Sequence, residues 1–171
     1  MTEGKGIGYK RWLTKHNLKV MAQTVKLLQE KGLTDEDALN QRITELETKY
    51  HDALAVVKDL ECRMKANKEL RYHIAAYTST KNVAQQLKTA KRPAAFEEQH
   101  RAELTAYRAA AAYFKANSIT KLPSPKKLEA EYAQLASEKA KFYEQYKEAK
   151  EELLKLKTAK QNVASFFREE E

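Results

Sequence analysis

Turn formers are scarce in this chain of 171 residues, which has four glycines and three prolines. So few breakers, set against a large share of Ala, Glu, Lys, Leu and Gln, leave helix as the expected state of most of the chain. Cysteine is rarer still. The single Cys62 excludes an internal disulfide and suits a reducing cytoplasm. No run approaches the roughly 20 apolar residues of a membrane span, and the N-terminus lacks the apolar core of a secretory signal. A soluble, cytoplasmic protein with no membrane partner is expected. Acidic residues also fall short: 24 Asp and Glu face 32 Lys and Arg, an excess of +8 that biases the protein toward polyanions.

Three of the four glycines open the chain in "GKGIGYKRW". A phosphate-cradling loop needs G-x-x-x-x-G-K-[ST] leaving a buried strand, and neither that spacing nor a strand is present. Residues 1–9 therefore read as a flexible linker, with residues 10–171 a single helical domain. Leu18, Met21, Ala22, Val25 and Leu28 recur at helical spacing, with Asn17 as the expected N-cap and Gly32 as the stop. A second helix starts at "LTDEDALNQRI", where Thr34 or Asp35 caps the first amides and three acids suit the helix dipole.

Its seam reads Leu39, Ile43, Leu46, Tyr50, Ala53, Val57, Leu60 and Met64, in the alternating steps of four and three of a coiled coil. Leu70, Ile74 and Tyr77 fall out of register, as a three-residue stammer near Asn67 produces. Thr78, Ser79 and Thr80 compete for backbone hydrogen bonds, so the helix is expected to end there, with Thr80 capping a short helix to about Lys91. Pro93 opens another helix to about Asn117, directing Phe96, Leu104, Tyr107, Ala111 and Phe114 inward. Ser124 and Pro125 start the last helix. Its seam holds Leu128, Tyr132, Leu135, Phe142, Tyr146, Ala149, Leu153, Leu156, Val163 and Phe167, interrupted by Lys139 and Lys160.

Two helices of about 35–78 and 125–167, each about 65 Å long, can pair along most of their length. The fold expected is all-α: an elongated antiparallel coiled-coil hairpin, a small helical head over about 79–124 at one tip, and a short N-terminal helix at the other end.

From Leu70 to Lys127 there are 11 Lys and Arg against three acids, so the head holds the whole excess charge. Two runs in it are unopposed. In the hairpin both meet at one tip, which makes Arg71, Lys81, Lys88, Lys91, Arg92, Lys121, Lys126 and Lys127 the candidate nucleic-acid-binding residues, against the plainer reading of a solvated face. No base-reading signature accompanies them, so contacts to DNA backbone with weak sequence selectivity are expected.

Nothing in the sequence assembles a catalytic or metal site. His16, His51, His73 and His100 stand apart, without ligand partners at metal spacing, and Cys62 lies on an outer helix face. No cofactor, no metal and no enzymatic activity are expected. Tyr50, Tyr132 and Tyr146 belong to the seams, while Tyr72, Tyr77, Tyr107 and Tyr113 in the head are open to either core packing or base stacking.

"GKGIGYKRWLTKHNLKVMAQTVKLLQEKGL", the charged helix after it and "KLPSPKKLEAEYAQLASEKAKFYEQYKEAKEELLKLKTAKQNV" resemble the C-terminal helical region of relaxases, the mobilisation nucleases of conjugative plasmids and integrative elements. In that family a preceding nuclease domain nicks DNA with a tyrosine and a histidine-held metal, commonly using His-x-His. This chain has no His-x-His, and its opening residues match the place where that domain has ended, so no catalytic residue carries over. The resemblance implies an accessory module that helps place a relaxase on transfer-origin DNA, with a relaxase nuclease domain or other transfer proteins as partners. At "KRPAAF" the family favours a glycine-containing loop, which this chain lacks. Long exposed seams offer an alternative: a protein-interaction module encoded by a mobile element, acting as adaptor or inhibitor without DNA binding. A filled hairpin makes a monomer and an unfilled seam a coiled-coil dimer.

Overall fold

The computed structural model describes residues 7–168, and among them there are five helices and no strand. They are α1 (Ile7–Glu30), α2 (Glu36–Thr89), α3 (Pro93–Gln99), α4 (Arg101–Ala116) and α5 (Pro125–Arg168). The linker expected over 1–9 lies outside the described residues as far as residue 6, and residues 7–9 already belong to α1. Asn17 is thus inside a helix rather than capping one.

The chain divides into two compact units, Met1–Val56 with Phe142–Glu171, and Val57–Lys141. The α2 and α5 helices contribute to both and run antiparallel in each.

In the first unit, Leu39, Ile43, Leu46, Leu153 and Leu156 form the core, with Leu28 and Leu33 packed against them. Gly32 takes a left-handed conformation (φ +67°). Its N–H donates to the Gln29 carbonyl and the Leu33 N–H to the Leu28 carbonyl, so the last carbonyls of α1 are satisfied and Leu33 turns back onto the core. Asp35 caps α2 by accepting from the Ala38 N–H at 2.7 Å. Across the unit, Glu152 accepts from Lys31 at 2.9 Å and from Arg42 at 3.2 and 3.3 Å. Those hydrogen bonds, Lys31 first, hold the Glu152 carboxyl below its ordinary range and raise Arg42.

The face of α1 differs from the one expected. Leu18 is 57% exposed and Val25 38%, whereas Thr24 is buried. The Thr24 hydroxyl donates to the Val20 carbonyl and accepts from the Asn162 amide of α5, so a polar pair occupies the contact line that the hydrophobic periodicity assigned elsewhere. The α5 seam also slips after Leu156: Ala159 is buried and Phe166 half-buried, while Lys160 turns out to Asn40 and Phe167 is exposed.

In the second unit, α2 does not stop at residues 78–80. The hydroxyls of Thr78, Ser79 and Thr80 donate back to the carbonyls of Ile74, Ala76 and Ala76, at 2.8, 3.0 and 2.6 Å. Groups expected to break the helix are thereby satisfied within it, and it continues to Thr89. The short helix expected after Thr80 is the last part of α2. Arg92 is extended (φ −128°, ψ 78°), as a residue before proline must be, and Pro93 starts α3. The single helix expected from Pro93 to Asn117 is interrupted at His100 (φ −112°, ψ 26°), whose imidazole Nδ1 lies 3.2 Å from Glu103.

The core here is Ile74, Ala110, Phe114 and Leu128, with Ala110 fully buried in place of the expected Ala111. A second left-handed stop ends α4. Ser118 (φ +54°) donates to the Lys115 carbonyl and Ile119 to the Phe114 carbonyl, which returns Ile119 to the core. Ser124 then caps α5. Asn67 is buried on the α2 seam, donating to the Leu128 carbonyl at 3.0 Å and to Glu131 at 3.3 Å, and Lys139 fills its gap in the seam through Glu61 at 2.6 Å.

Candidate nucleic-acid interface

The division into units follows the charge. Val57–Lys141 carries 17 Lys and Arg against nine acids, a balance of +8, and the other unit sums to zero. All eight sequence-selected cations therefore belong to the second unit. Seven are exposed, and Arg71 is half-buried, 4.0 Å from Glu129.

Local ion pairing occupies some cations of this unit and leaves others open. Arg101 meets Glu98 at 3.7 Å and Arg108 meets Glu97 at 2.6 Å, so the acids of α3 are paired with cations of α4. Arg63, Arg71, Arg101, Arg108 and Lys139 of this unit are paired, whereas among the described residues no carboxylate lies within 4.0 Å of Lys81, Lys88, Lys91, Arg92, Lys121, Lys126 or Lys127, nor of Lys58, Lys65, Lys68, Lys115 or Lys141. Their charge faces solvent and is available to an external anion, within the screening length of about 8–10 Å at physiological salt.

The two runs do not share one tip. Because α2 is continuous, the 17 residues from Arg71 to Lys88 correspond to a rise of about 25 Å. Lys126 and Lys127 follow Pro125, which lines the same hollow as Arg71. Lys88, Lys91 and Arg92 sit at the opposite end of this stretch, where α2 gives way to α3. The expectation of a single docking surface fails because Thr78, Ser79 and Thr80 do not end the helix. Lys81 lies between the groups, and Lys121 lies in the segment leading to α5.

At the α2–α3 turn Lys88, Lys91 and Arg92 stand at spacings of three and four residues, and Lys91 and Arg92 line an open hollow of about 490 Å³ with Gln86, Thr89 and Gln99. The two side-chain amides add neutral donors next to fixed positive charge, the combination that grips phosphate and sugar without reading bases, while the Thr89 hydroxyl already donates to the Gln86 carbonyl. Sequence reasoning missed Gln86, Thr89 and Gln99, since it followed charge alone. The signal was there in part: Gln86 and Thr89 are one turn apart on a helix that also carries Lys88.

The tyrosines of the unit are mostly engaged. Tyr77 stacks on Tyr107 with ring centroids 5.0 Å apart and meets Phe114 edge-on, and Tyr113 stacks on His73 at 4.0 Å. The hydrogen bond to Tyr77, then burial, pushes the Tyr107 hydroxyl above its ordinary value. Tyr72 differs: it is 70% exposed. Cys62 is exposed, and among the described residues no three His, Cys, Asp or Glu side chains converge as metal ligands. No described helix is long and apolar enough to cross a membrane.

Comparison with protein-family models, curated proteins and solved structures gives no match.

Proposed function

We propose that this chain is a non-catalytic helical module whose Val57–Lys141 unit contacts the nucleic-acid backbone. The observation that carries the reading is the confinement of the whole +8 excess to one compact unit, with seven of its candidate cations unpaired. A charge that served only solubility has no reason to be segregated in this way. The α2–α3 turn, with Lys88, Lys91, Arg92 and adjacent amides, is the principal contact, and Lys126 and Lys127, which follow Pro125 at the Arg71 end of α2's last turns, form a second one. The resemblance of Gly4 to Leu33 and of Lys121 to Val163 to relaxase C-terminal regions supplies the setting: an accessory module of a conjugative relaxase, placing the nuclease on DNA or on transfer proteins in the cytoplasm.

Fluorescence anisotropy with labelled single- and double-stranded DNA over a salt series tests this. Three to five phosphate contacts give a slope of log K against log salt of about −2.7 to −4.5 on duplex. Absence of binding at low salt, or a flat slope, refutes the proposal.

One observation favours the protein-interaction alternative. Leu18 and Val25 on α1 expose an apolar stripe at helical spacing. Light scattering separates the two readings: a dimer lost on changing Leu18 and Val25 to Ser supports the stripe, and a monomer removes it.

A further inference from the structure

The groove beside Arg71 has features that phosphate contact does not require. It is an open hollow of about 690 Å³ with an apolar floor of Ile74, Ala75 and Leu128. Its position follows from the register of the two long helices. Asn67 meets Leu128 and Glu61 meets Lys139, so Pro125, where α5 begins, falls opposite about residue 71. Beyond that point α2 continues for more than four turns, while α4 packs on its other side through Ile74 and Tyr77. Arg71, Ile74 and Thr78 continue the line that α5 covers at Leu60, Met64 and Asn67, and Tyr72, Ala75 and Ser79 stand exposed beside it along the same hollow.

This is a helix-wide gap at the end of an antiparallel pair. Ala75 and Ser79, four residues apart, let another backbone approach closely, and Tyr72 stands at the edge as a large amphipathic contact. The rim is cationic: Lys68 and Arg71 line the hollow, and Lys126 and Lys127 follow Pro125 at its end. Glu129, at 4.0 Å from Arg71, is the one carboxylate paired with these rim cations among the described residues. An occupant must therefore bring apolar side chains to the floor and carboxylates to the rim.

We propose that this hollow docks an acidic amphipathic helix from a partner protein, laid along α2 in continuation of α5. Apolar residues at spacings of three and four reach Ala75 and Leu128, and flanking Glu or Asp residues meet Arg71, Lys126 and Lys127. The inference does not rest on the DNA reading, which the α2–α3 turn carries independently.

The test uses the whole chain and a labelled helical peptide of about 16 residues, with leucines at successive a and d positions and glutamates elsewhere. Binding is expected in the micromolar range. Ala75→Arg separates docking from simple charge attraction, because it fills the gap yet adds a positive charge at an exposed position that tolerates substitution. The proposal expects at least a tenfold loss of peptide affinity in Ala75→Arg, a comparable loss in the double variant Lys126→Glu, Lys127→Glu, and unchanged or tighter binding of a single-stranded oligonucleotide to Ala75→Arg. It is overturned if the peptide does not bind, or if Ala75→Arg binds it as well as or better than the original. Loss of oligonucleotide binding in Ala75→Arg overturns it too, by assigning the hollow to nucleic acid. Failure of DNA binding with the peptide results intact would remove the function proposed above and leave this site standing.

Discussion

Replacing Asn67 by leucine should stabilise the Val57–Lys141 unit, although it deletes two hydrogen bonds. Asn67 is 5% exposed on the α2 seam, and its side-chain oxygen has no partner while its amide nitrogen donates to the Leu128 carbonyl and to Glu131. The bond to the Leu128 carbonyl is worth about 1 kcal/mol net, and the longer bond to Glu131, screened by water, adds only a fraction of that. Their loss strands little: the Leu128 carbonyl retains its place in the α5 ladder, and Glu131 is exposed to water. Leucine, also branched at Cγ, removes an unpartnered buried oxygen that costs about 1–3 kcal/mol and adds apolar burial, offset by about 1 kcal/mol or more of tighter packing. The balance favours leucine by about 2 kcal/mol, in line with the general finding that polar seam residues lower stability. Amide hydrogen exchange reads this locally, where two compact units make a single melting temperature ambiguous. Protection of the slowest amides near residue 67 should rise about thirtyfold. Asn67→Asp should do the opposite and lose at least 3 kcal/mol, since it places a carboxylate in the seam beside Glu131. If Asn67→Leu lowers protection instead, the side-chain oxygen is satisfied in solution and the reasoning fails.

Ser118→Gly should stabilise the same unit by about 0.5–1 kcal/mol, because Ser118 ends α4 in a left-handed conformation that suits glycine; a destabilised variant by urea unfolding counts against the cap described. Leu156→Ala, at a fully buried position of the other core, should cost about 2–5 kcal/mol, and a loss under 1 kcal/mol shows that the Leu39, Ile43 and Leu46 cluster does not close over it. Glu152 gives a pH dependence. Its folded pKa lies below the unfolded value, so its contribution is present above about pH 4.5 and is lost as pH falls through the lowered value. Glu152→Gln should cost about 1 kcal/mol at neutral pH and flatten the acid limb of the stability curve of the first unit; an unchanged acid limb refutes the role of Lys31 and Arg42.

The heptad residues from Leu39 to Leu60 declared themselves in the sequence because an apolar step alternating between three and four arises from little except a helical contact line, and most of them are buried. Gly32, Asp35 and Ser124 were legible on similar grounds: a cap needs one side chain at one place. The failures share a different cause. The hydroxyls of Thr24 and Thr78 to Thr80 bond back to their own helix and Asn67 is buried on the seam, and pattern reading treats polar residues as surface or breakers. Whether a threonine hydroxyl ends a helix or donates to the carbonyl one turn back depends on what the next turn packs against. Here α4 lies alongside and keeps α2 going through Tyr77. That one undetected continuation moved Lys88, Lys91 and Arg92 away from Lys126 and Lys127, and so altered the candidate interface. The identity of the cations was readable from composition along the chain; their grouping was a matter of tertiary structure. The single-residue break at His100 had no visible signal in the sequence.

The most direct measurement is the salt dependence of DNA affinity in a triple variant, Lys88→Glu, Lys91→Glu, Arg92→Glu, beside the original protein. With the α2–α3 turn as the principal contact, removing three phosphate partners reduces the steepness of log K against log salt by about 2–3 on duplex DNA and weakens binding uniformly across sequences. A variant with the same slope and affinity as the original would show that the segregated charge of Val57–Lys141 does not contact nucleic acid through this turn.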